Sequence, residues 1–225
     1  DVDGIMLVGA FVDETVTRLI ERRALPLVLV DAYTEACYDI VGTDNFRGAY
    51  QAVTYLLDCG HRRIGLVGTQ PDAYPSLRER RRGYIQALED HGIAEGYFGD
   101  CRIASDEELD AAVRLLREQP DITAIFCGND HVAVRVYEAA QALGRRIPDD
   151  LSVVGFDNVD LALYLTPPLT TMHIDTPSLG ALAVEALARR IESAEASCMT
   201  TLVRPRLVER QSVRSLVPMQ AVSPG

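Results

Sequence analysis

Short apolar runs alternate with longer stretches whose apolar positions recur every three to four residues, along almost the whole chain. The short runs read as strands at residues 4–8, Leu27–Val30, 63–68, 100–104, 123–127 and 151–156. Rich in β-branched residues, they suit a parallel sheet covered on both faces. The helical period predicts helices at 13–24, 45–58, 76–91 and 131–143, the last closed by Gly144. On the 45–58 helix, Phe46, Ala49, Tyr50, Val53, Leu56 and Leu57 share one face, and Gly60 follows as a C-cap. Ser105 and Glu108 have capping-box spacing for a helix carrying Leu109, Ala112, Val113 and Leu116. Beyond Pro167-Pro168 an extended stretch, 169–172, precedes a helix at 178–193 with Leu179, Leu182, Ala183, Ala186 and Leu187 as its buried stripe. Residues 202–210 alternate and contain Pro205, which predicts an edge strand. From about Val217 the periodicity ends, and a disordered tail is expected. Alternating βα units predict an α/β fold with doubly wound parallel sheets and right-handed crossovers.

The chain's 225 residues suffice for one large domain or two smaller ones. No apolar run approaches the ~18–20 residues that span a bilayer, so no transmembrane helix is expected. The acidic start, Asp1-Val2-Asp3, is unlike a signal peptide. A balance of 33 acidic to 22 basic residues, net −11, argues against nucleic-acid binding by this chain itself. The five cysteines are scattered without Cys-x-x-Cys spacing, which points to a reducing cytoplasm and mostly buried free thiols.

Candidate chemistry gathers at strand ends. The run 123–127 passes into Gly128-Asn129-Asp130, and 151–154 passes into Gly155-Phe156-Asp157-Asn158. In parallel sheets, ligands bind beyond the carboxyl ends of the strands. An amide and a carboxylate there, Asn129 and Asp157, can share hydrogen bonds with hydroxyls or ring nitrogens of a small molecule. They can equally cap the following helices. Asp31, ending Leu27–Val30, has the same two readings. In Arg78-Glu79-Arg80-Arg81-Arg82, the helical period turns Arg82 outward and sets Arg80 and Arg81 beside the buried stripe of Leu77, Tyr84 and Leu88. Either could hold a ligand bidentately, and periodicity does not choose between them. Phosphate loop, dinucleotide fingerprint, nucleophile elbow and His-Glu-x-x-His are all absent, and the four histidines are isolated. No enzyme, cofactor or metal is expected.

These segments together resemble the effector-binding core of the lactose-repressor (LacI/GalR) family of bacterial transcription regulators. The similarity runs in order through Val2-Asp3-Gly4-Ile5, Pro26 to Asp31, Thr43-Asp44-Asn45, and Gly60-His61-Arg62-Arg63-Ile64-Gly65. It continues through Ser76, Arg80, Gly83-Tyr84, residues 123–130, Ile147-Pro148 with 151–158, and Pro167 to Thr171, covering roughly residues 2–213. The resemblance implies two α/β subdomains of periplasmic-binding-protein type I, with a small effector held in the cleft between them. It implies an incomplete N-terminal subdomain of 1–42 with 173–200, a C-terminal subdomain of 43–172 with 201–214, and a tail at 215–225. Chain crossings would fall near 42–43, 171–173 and 200–202. It selects Arg80, three residues before Gly83, and makes Asp31, Arg80, Asn129 and Asp157 the polar clamps. Ile103 falls where many members place an aromatic residue against the ligand. The implied partners are a sugar or nucleoside-like effector, a second copy of the chain, and operator DNA reached only through a helix-turn-helix outside these residues. A periplasmic sugar-binding protein of an ABC transporter is the alternative of the same fold.

Overall fold

A computed structural model describes residues 2–9, 18, 25–34, 36–193 and 195–217. The strands are β1 (Ile5–Val8), β2 (Leu27–Val30), β3 (Asp39–Thr43), β4 (Ile64–Val67), β5 (Tyr97–Gly99), β6 (Ala124–Cys127), β7 (Ser152–Asp157), β8 (Thr170–His173), β9 (Thr200–Val203) and β10 (Arg206–Val208). The described helices are α1 (Asn45–Asp58), α2 (Pro75–Asp90), α3 (Glu107–Glu118), α4 (Asp130–Ala142), α5 (Leu161–Tyr164) and α6 (Thr176–Glu192). They form two compact units, Asp1–Asp44 with Ile174–Pro205, and Asn45–His173 with Arg206–Gly225.

The first unit is a parallel sheet in the order β1-β2-β3-β9. All four residues of β2 are buried, and the strand pleat divides them between two faces. Val28 and Val30 pack with Val41 against Leu179 and Ala183 of α6. Leu27 and Leu29 pack on the other face with Ile5, Leu7, Tyr38 and Ile40. At about 1.5–3 kcal/mol for each fully buried aliphatic side chain, β2 supplies the centre of this unit's core. On β1, Met6 and Val8 remain 43% and 69% exposed.

The second unit holds a six-stranded sheet in the order β10-β8-β7-β6-β4-β5. It is parallel throughout except where β10 runs antiparallel to β8. From β4 the chain first steps outward to β5, then returns to β6 and continues the other way. The order therefore reverses between β4 and β6. The pair α1 and α2 packs closely, as does the pair α3 and α4. Val67, Ile125, Cys127 and Val153 join the core built with α3 and α4. The Tyr84 hydroxyl of α2 donates to Ile64 O at 2.7 Å, tying the helix to β4.

Several expectations need correction. The strand expected at 100–104 lies earlier, at Tyr97–Gly99. The capping box is displaced by one residue. Glu108 accepts from Ala104 N at 2.6 Å, while Ser105 Oγ accepts from Glu107 N at 3.3 Å. The single edge strand at 202–210 is two strands in two sheets, because Pro205 interrupts the ladder between β9 and β10. Since β9 pairs with β3, the third crossing follows Pro205 rather than falling near 200–202. Strand β3 was not anticipated. Cys37 and Cys198 form a disulfide, so free thiols are confined to Cys59, Cys101 and Cys127, of which the last two are buried. The expected tail is ordered at its start, where Leu216 N donates to Cys59 O at 2.7 Å. The rest of the tail and most of the helix expected at 13–24 lie outside the described residues.

Candidate functional site

The parallel strands of the second unit send their carboxyl ends to one edge of the sheet, and the switch point falls between β4 and β6. Gly68 follows β4 at φ +85°, and Gly128 follows β6. A Cβ on Gly128 would lie 2.5 Å from Gly68 O and 3.4 Å from Ile103 Cδ1. Only glycine permits these two turns to touch.

Arg80, in the second turn of α2, reaches this point while 7% exposed. Its Nη1 donates to Gly128 O at 2.6 Å and its Nε to Asn45 Oδ1 at 2.8 Å. Nη2 stands 3.1 Å from Asp157 Oδ1, and the guanidinium lies 3.7 Å from the centre of the Phe156 ring. The planar fork is thus used along three edges and one face. Arg81 is directed elsewhere, to Asp100 and over the Phe98 ring. Exposed Arg82 pairs with Glu79.

Asp157 ends β7 at φ +103°, and Asn158 follows at +59°. This left-handed turn is held from three sides. Asp130, fully buried at the start of α4, accepts from Val159 N at 2.9 Å and from Thr171 Oγ1 at 2.6 Å. Arg210 Nη2 donates to Asn158 Oδ1 at 2.6 Å, and the Asn158 amide faces His173 Nδ1 at 3.1 Å. Burial pushes the Asp130 carboxyl up to about 6, outweighing the hydrogen bonds that favour its charge.

Asn129 is the N-cap of α4, its Oδ1 accepting from Val132 N at 2.9 Å. It also lines a hollow of 470 Å³ with Ile103 and His131. The structure thus gathers Arg80, Asp157, Asn129 and Ile103 at one end of one sheet. Asp31 belongs to the first unit. There, at φ +44°, its Oδ1 accepts from Thr43 N at 2.7 Å and its Oδ2 from Thr43 Oγ1 at 3.3 Å. It fastens the end of β2 to the end of β3.

Sequence reasoning missed the roles of Asn45, Phe156 and Asp130. Asn45 entered only within the Thr43-Asp44-Asn45 stretch of the family resemblance, although its side chain accepts from Arg80 Nε. Phe156 and Asp130 carried a usable signal, since each adjoins a strand-end residue already singled out. Among the described residues, no cluster of three His, Cys, Asp or Glu could hold a metal ion, and no helix is long and apolar enough to cross a membrane. The site can offer a carboxylate acceptor braced by a guanidinium, an amide, and an aliphatic wall. That chemistry suits hydroxyls and ring nitrogens.

The family described as "Periplasmic binding protein-like domain" matches residues 53–213. The HTH-type transcriptional repressor PurR of Photobacterium profundum is 32% identical over 219 residues, 96% of this chain and 65% of that protein. The ribose operon repressor of Haemophilus influenzae is 37% identical over 205 residues, 86% of this chain and 59% of that protein. The chain therefore spans less than two thirds of the length of these curated relatives. A LacI-family transcriptional regulator from Enterococcus faecium with bound ribose superposes at a TM-score of 0.82 with 27% identity, covering 96% of this chain and 81% of that one.

Proposed function

We propose, for a chain that belongs to the periplasmic-binding-protein-like family as an effector-binding core of the LacI/GalR type, that the strand-end constellation of the second unit binds a small polar metabolite. A sugar or nucleoside-like compound fits its chemistry best. The observation that carries this reading is the Arg80–Asp157 pair at the switch point, braced by Asn45 and Phe156 and flanked by Ile103. Asp157 is 28% exposed in its side chain and accepts hydrogen bonds from ligand hydroxyls, while Arg80 fixes its orientation. Asp31 is assigned as a further ligand contact on its strand-end position and the family resemblance.

In this reading the chain is the sensing part of a cytoplasmic, homodimeric transcription regulator, a repressor like its curated relatives. Exposed Leu163 and Tyr164 on α5 suit a partner surface. Operator contact comes from a helix-turn-helix outside these 225 residues, and effector binding shifts the population of the operator-holding state. The site binds and releases its ligand without chemistry. A transport protein of the same fold is not favoured, because the curated relatives described above are repressors.

A thermal-shift screen of pentoses, hexoses, purine bases and nucleosides tests the reading. At least one compound should raise the melting temperature, and Asp157→Ala should abolish that rise. A ligand whose shift survives intact in Asp157→Ala would move the site elsewhere. For Asp31, the matching test is loss of the same shift in Asp31→Ala.

A further inference from the structure

The first unit contains paired chemistry that effector sensing does not use. Cys37 stands two residues before β3 and Cys198 two residues before β9, strands that run side by side with Ile40 opposite Thr200. The two cysteines are 161 residues apart in sequence, their Cα atoms are 5.9 Å apart, and they are joined as a disulfide. Cys37 is exposed and Cys198 partly so. Small thiols and disulfides can therefore reach them.

The surroundings are an ion-pair network. Arg190 donates to Ala196 O and Ser197 O, directly before Cys198. Arg189 and Arg190 both pair with Asp39, two residues beyond Cys37. These contacts order the segments that carry both cysteines while leaving Cys37 open to solvent. Cys101 and Cys127 are the opposite case. Both are buried, and burial pushes the Cys101 thiol up to about 11 and that of Cys127 well above the usual thiol range. Burial makes those two thiols unreactive, whereas Cys37 and Cys198 are paired and accessible to solvent.

We infer that Cys37 and Cys198 form a reversible redox-modification site, oxidised by a small disulfide of the glutathione class, and that its closure locks the entry of β9 onto β3. One cysteine thiolate attacks the small disulfide, releasing one small thiolate and leaving a mixed disulfide. The second cysteine thiolate attacks the protein sulfur of that mixed disulfide and releases the second small thiolate. The protein pair loses two electrons and two protons, and the small disulfide becomes two thiols.

The lock falls at a strategic place in the chain. β9 ends at Val203, and the chain passes into the second unit after Pro205. In the oxidised form the amino end of β9 is held covalently. The same end is also held by hydrogen bonds that do not depend on the bridge, Met199 N to Asp39 Oδ1 at 2.7 Å and Ile40 N to Met199 O at 2.8 Å. Oxidation thus stiffens one of the passages between units without touching the strand-end site. The redox site does not depend on what the second unit binds.

The test uses the full 225-residue chain, equilibrated across a series of reduced-to-oxidised glutathione ratios, quenched in acid and alkylated for mass spectrometry. The expected result is joint loss of the Cys37 and Cys198 thiols over one two-electron midpoint, with Cys101 and Cys127 unlabelled until the protein is denatured. Native amide exchange in 198–203 should be roughly tenfold slower in the oxidised form. Cys37→Ser, a surface change that leaves the core intact, should make that exchange rate insensitive to redox. A pair that never oxidises in the most oxidising buffer, or never reduces in the most reducing one, overturns the inference. So does a redox-dependent exchange rate that persists in Cys37→Ser.

Discussion

Gly83 lets α2 press against α1, and replacing it with alanine would test how the site is held. The added methyl would fall inside any permitted contact with Phe46 O, and 2.9 Å from both Ala49 Cβ and Tyr50 N. Two of these three neighbours are backbone atoms of a helix and cannot rotate away. The helices must therefore separate by about 1 Å, a gap that forfeits roughly a quarter to a half of each affected dispersion contact. Overpacking of this kind costs about 1–3 kcal/mol and more where backbone must move. Against it stands a gain of about 1 kcal/mol in helix propensity for alanine over glycine. The steric cost should win, for a net loss of about 2 kcal/mol. Arg80 lies one turn earlier on the same helix and donates to Asn45 on α1, so the separation also pulls the guanidinium away from Asp157. Urea unfolding should show a lower midpoint at unchanged slope. Because the chain has two units, each should be followed by its own amide exchange. Gly180→Ala on α6 is the control: nothing lies within 4 Å of its added methyl, so propensity alone should stabilise the first unit by up to about 1 kcal/mol. If Gly83→Ala also stabilised the protein, the close crossing of α1 and α2 would be refuted.

Three further outcomes are expected. Native Asp130, with its carboxyl raised to about 6 against an ordinary 3.8, binds more protons than unfolded Asp130 between those values. The stability of wild type relative to Asp130→Asn should therefore be greatest below pH 4, fall by about 3 kcal/mol as pH rises through 6, and then level off; a pH-independent difference in urea midpoints would count against the burial of this carboxyl. Arg80→Lys keeps the charge but cannot reproduce the fork to Asn45, Gly128 O and Asp157, so any effector-induced thermal shift should shrink by most of its size; full retention would remove Arg80 from the site. Amide exchange should be faster in β1–β3 than in β4, β6 and β7, because β1 is an edge of the sheet formed by the described residues and leaves Met6 and Val8 exposed; equal protection in the two units would sink that expectation.

What could be read from the sequence follows from how local each signal is. The 45–58 helix emerges at its full length because its apolar period and Gly60, at φ +92°, are both local. The β2 strand is legible for the same reason: four consecutive apolar residues are buried on both faces. β3 is not, because Asp39-Ile40-Val41-Gly42-Thr43 has few apolar residues and owes its strand to pairing with β2 and with β9, 160 residues away along Ile40–Thr200. The Cys37–Cys198 bridge is hidden by the same separation. At the site, the helical wheel narrowed four arginines to two. The family resemblance, not periodicity, selects Arg80; its contacts with Asn45, Gly128 and Phe156 come from three elements, which no window along the chain displays.

That convergence also separates the work of the two charged partners. A mobile arginine clamps a ligand by reorganising around it, whereas Arg80 is already committed to an amide, a carbonyl, a carboxylate and a ring face. Its side chain is 8% exposed against 28% for Asp157. Reorienting it would break several charge-assisted bonds at once, each stronger than an ordinary hydrogen bond. Arg80 is therefore a fixture, and Asp157 is the group it holds out. The left-handed turn at Asp157 and Asn158 costs about 1–3 kcal/mol for each non-glycine residue, and Asp130, Arg210 and His173 offset it. A turn strained and braced in this way is preorganised, so in the proposed function a ligand hydroxyl would meet an acceptor already in place, with no affinity spent on ordering it. Under the proposed function, discrimination between ligands would rest on what can donate to Asp157 while fitting beside Ile103, an aliphatic wall that rewards apolar contact without demanding a stacked ring.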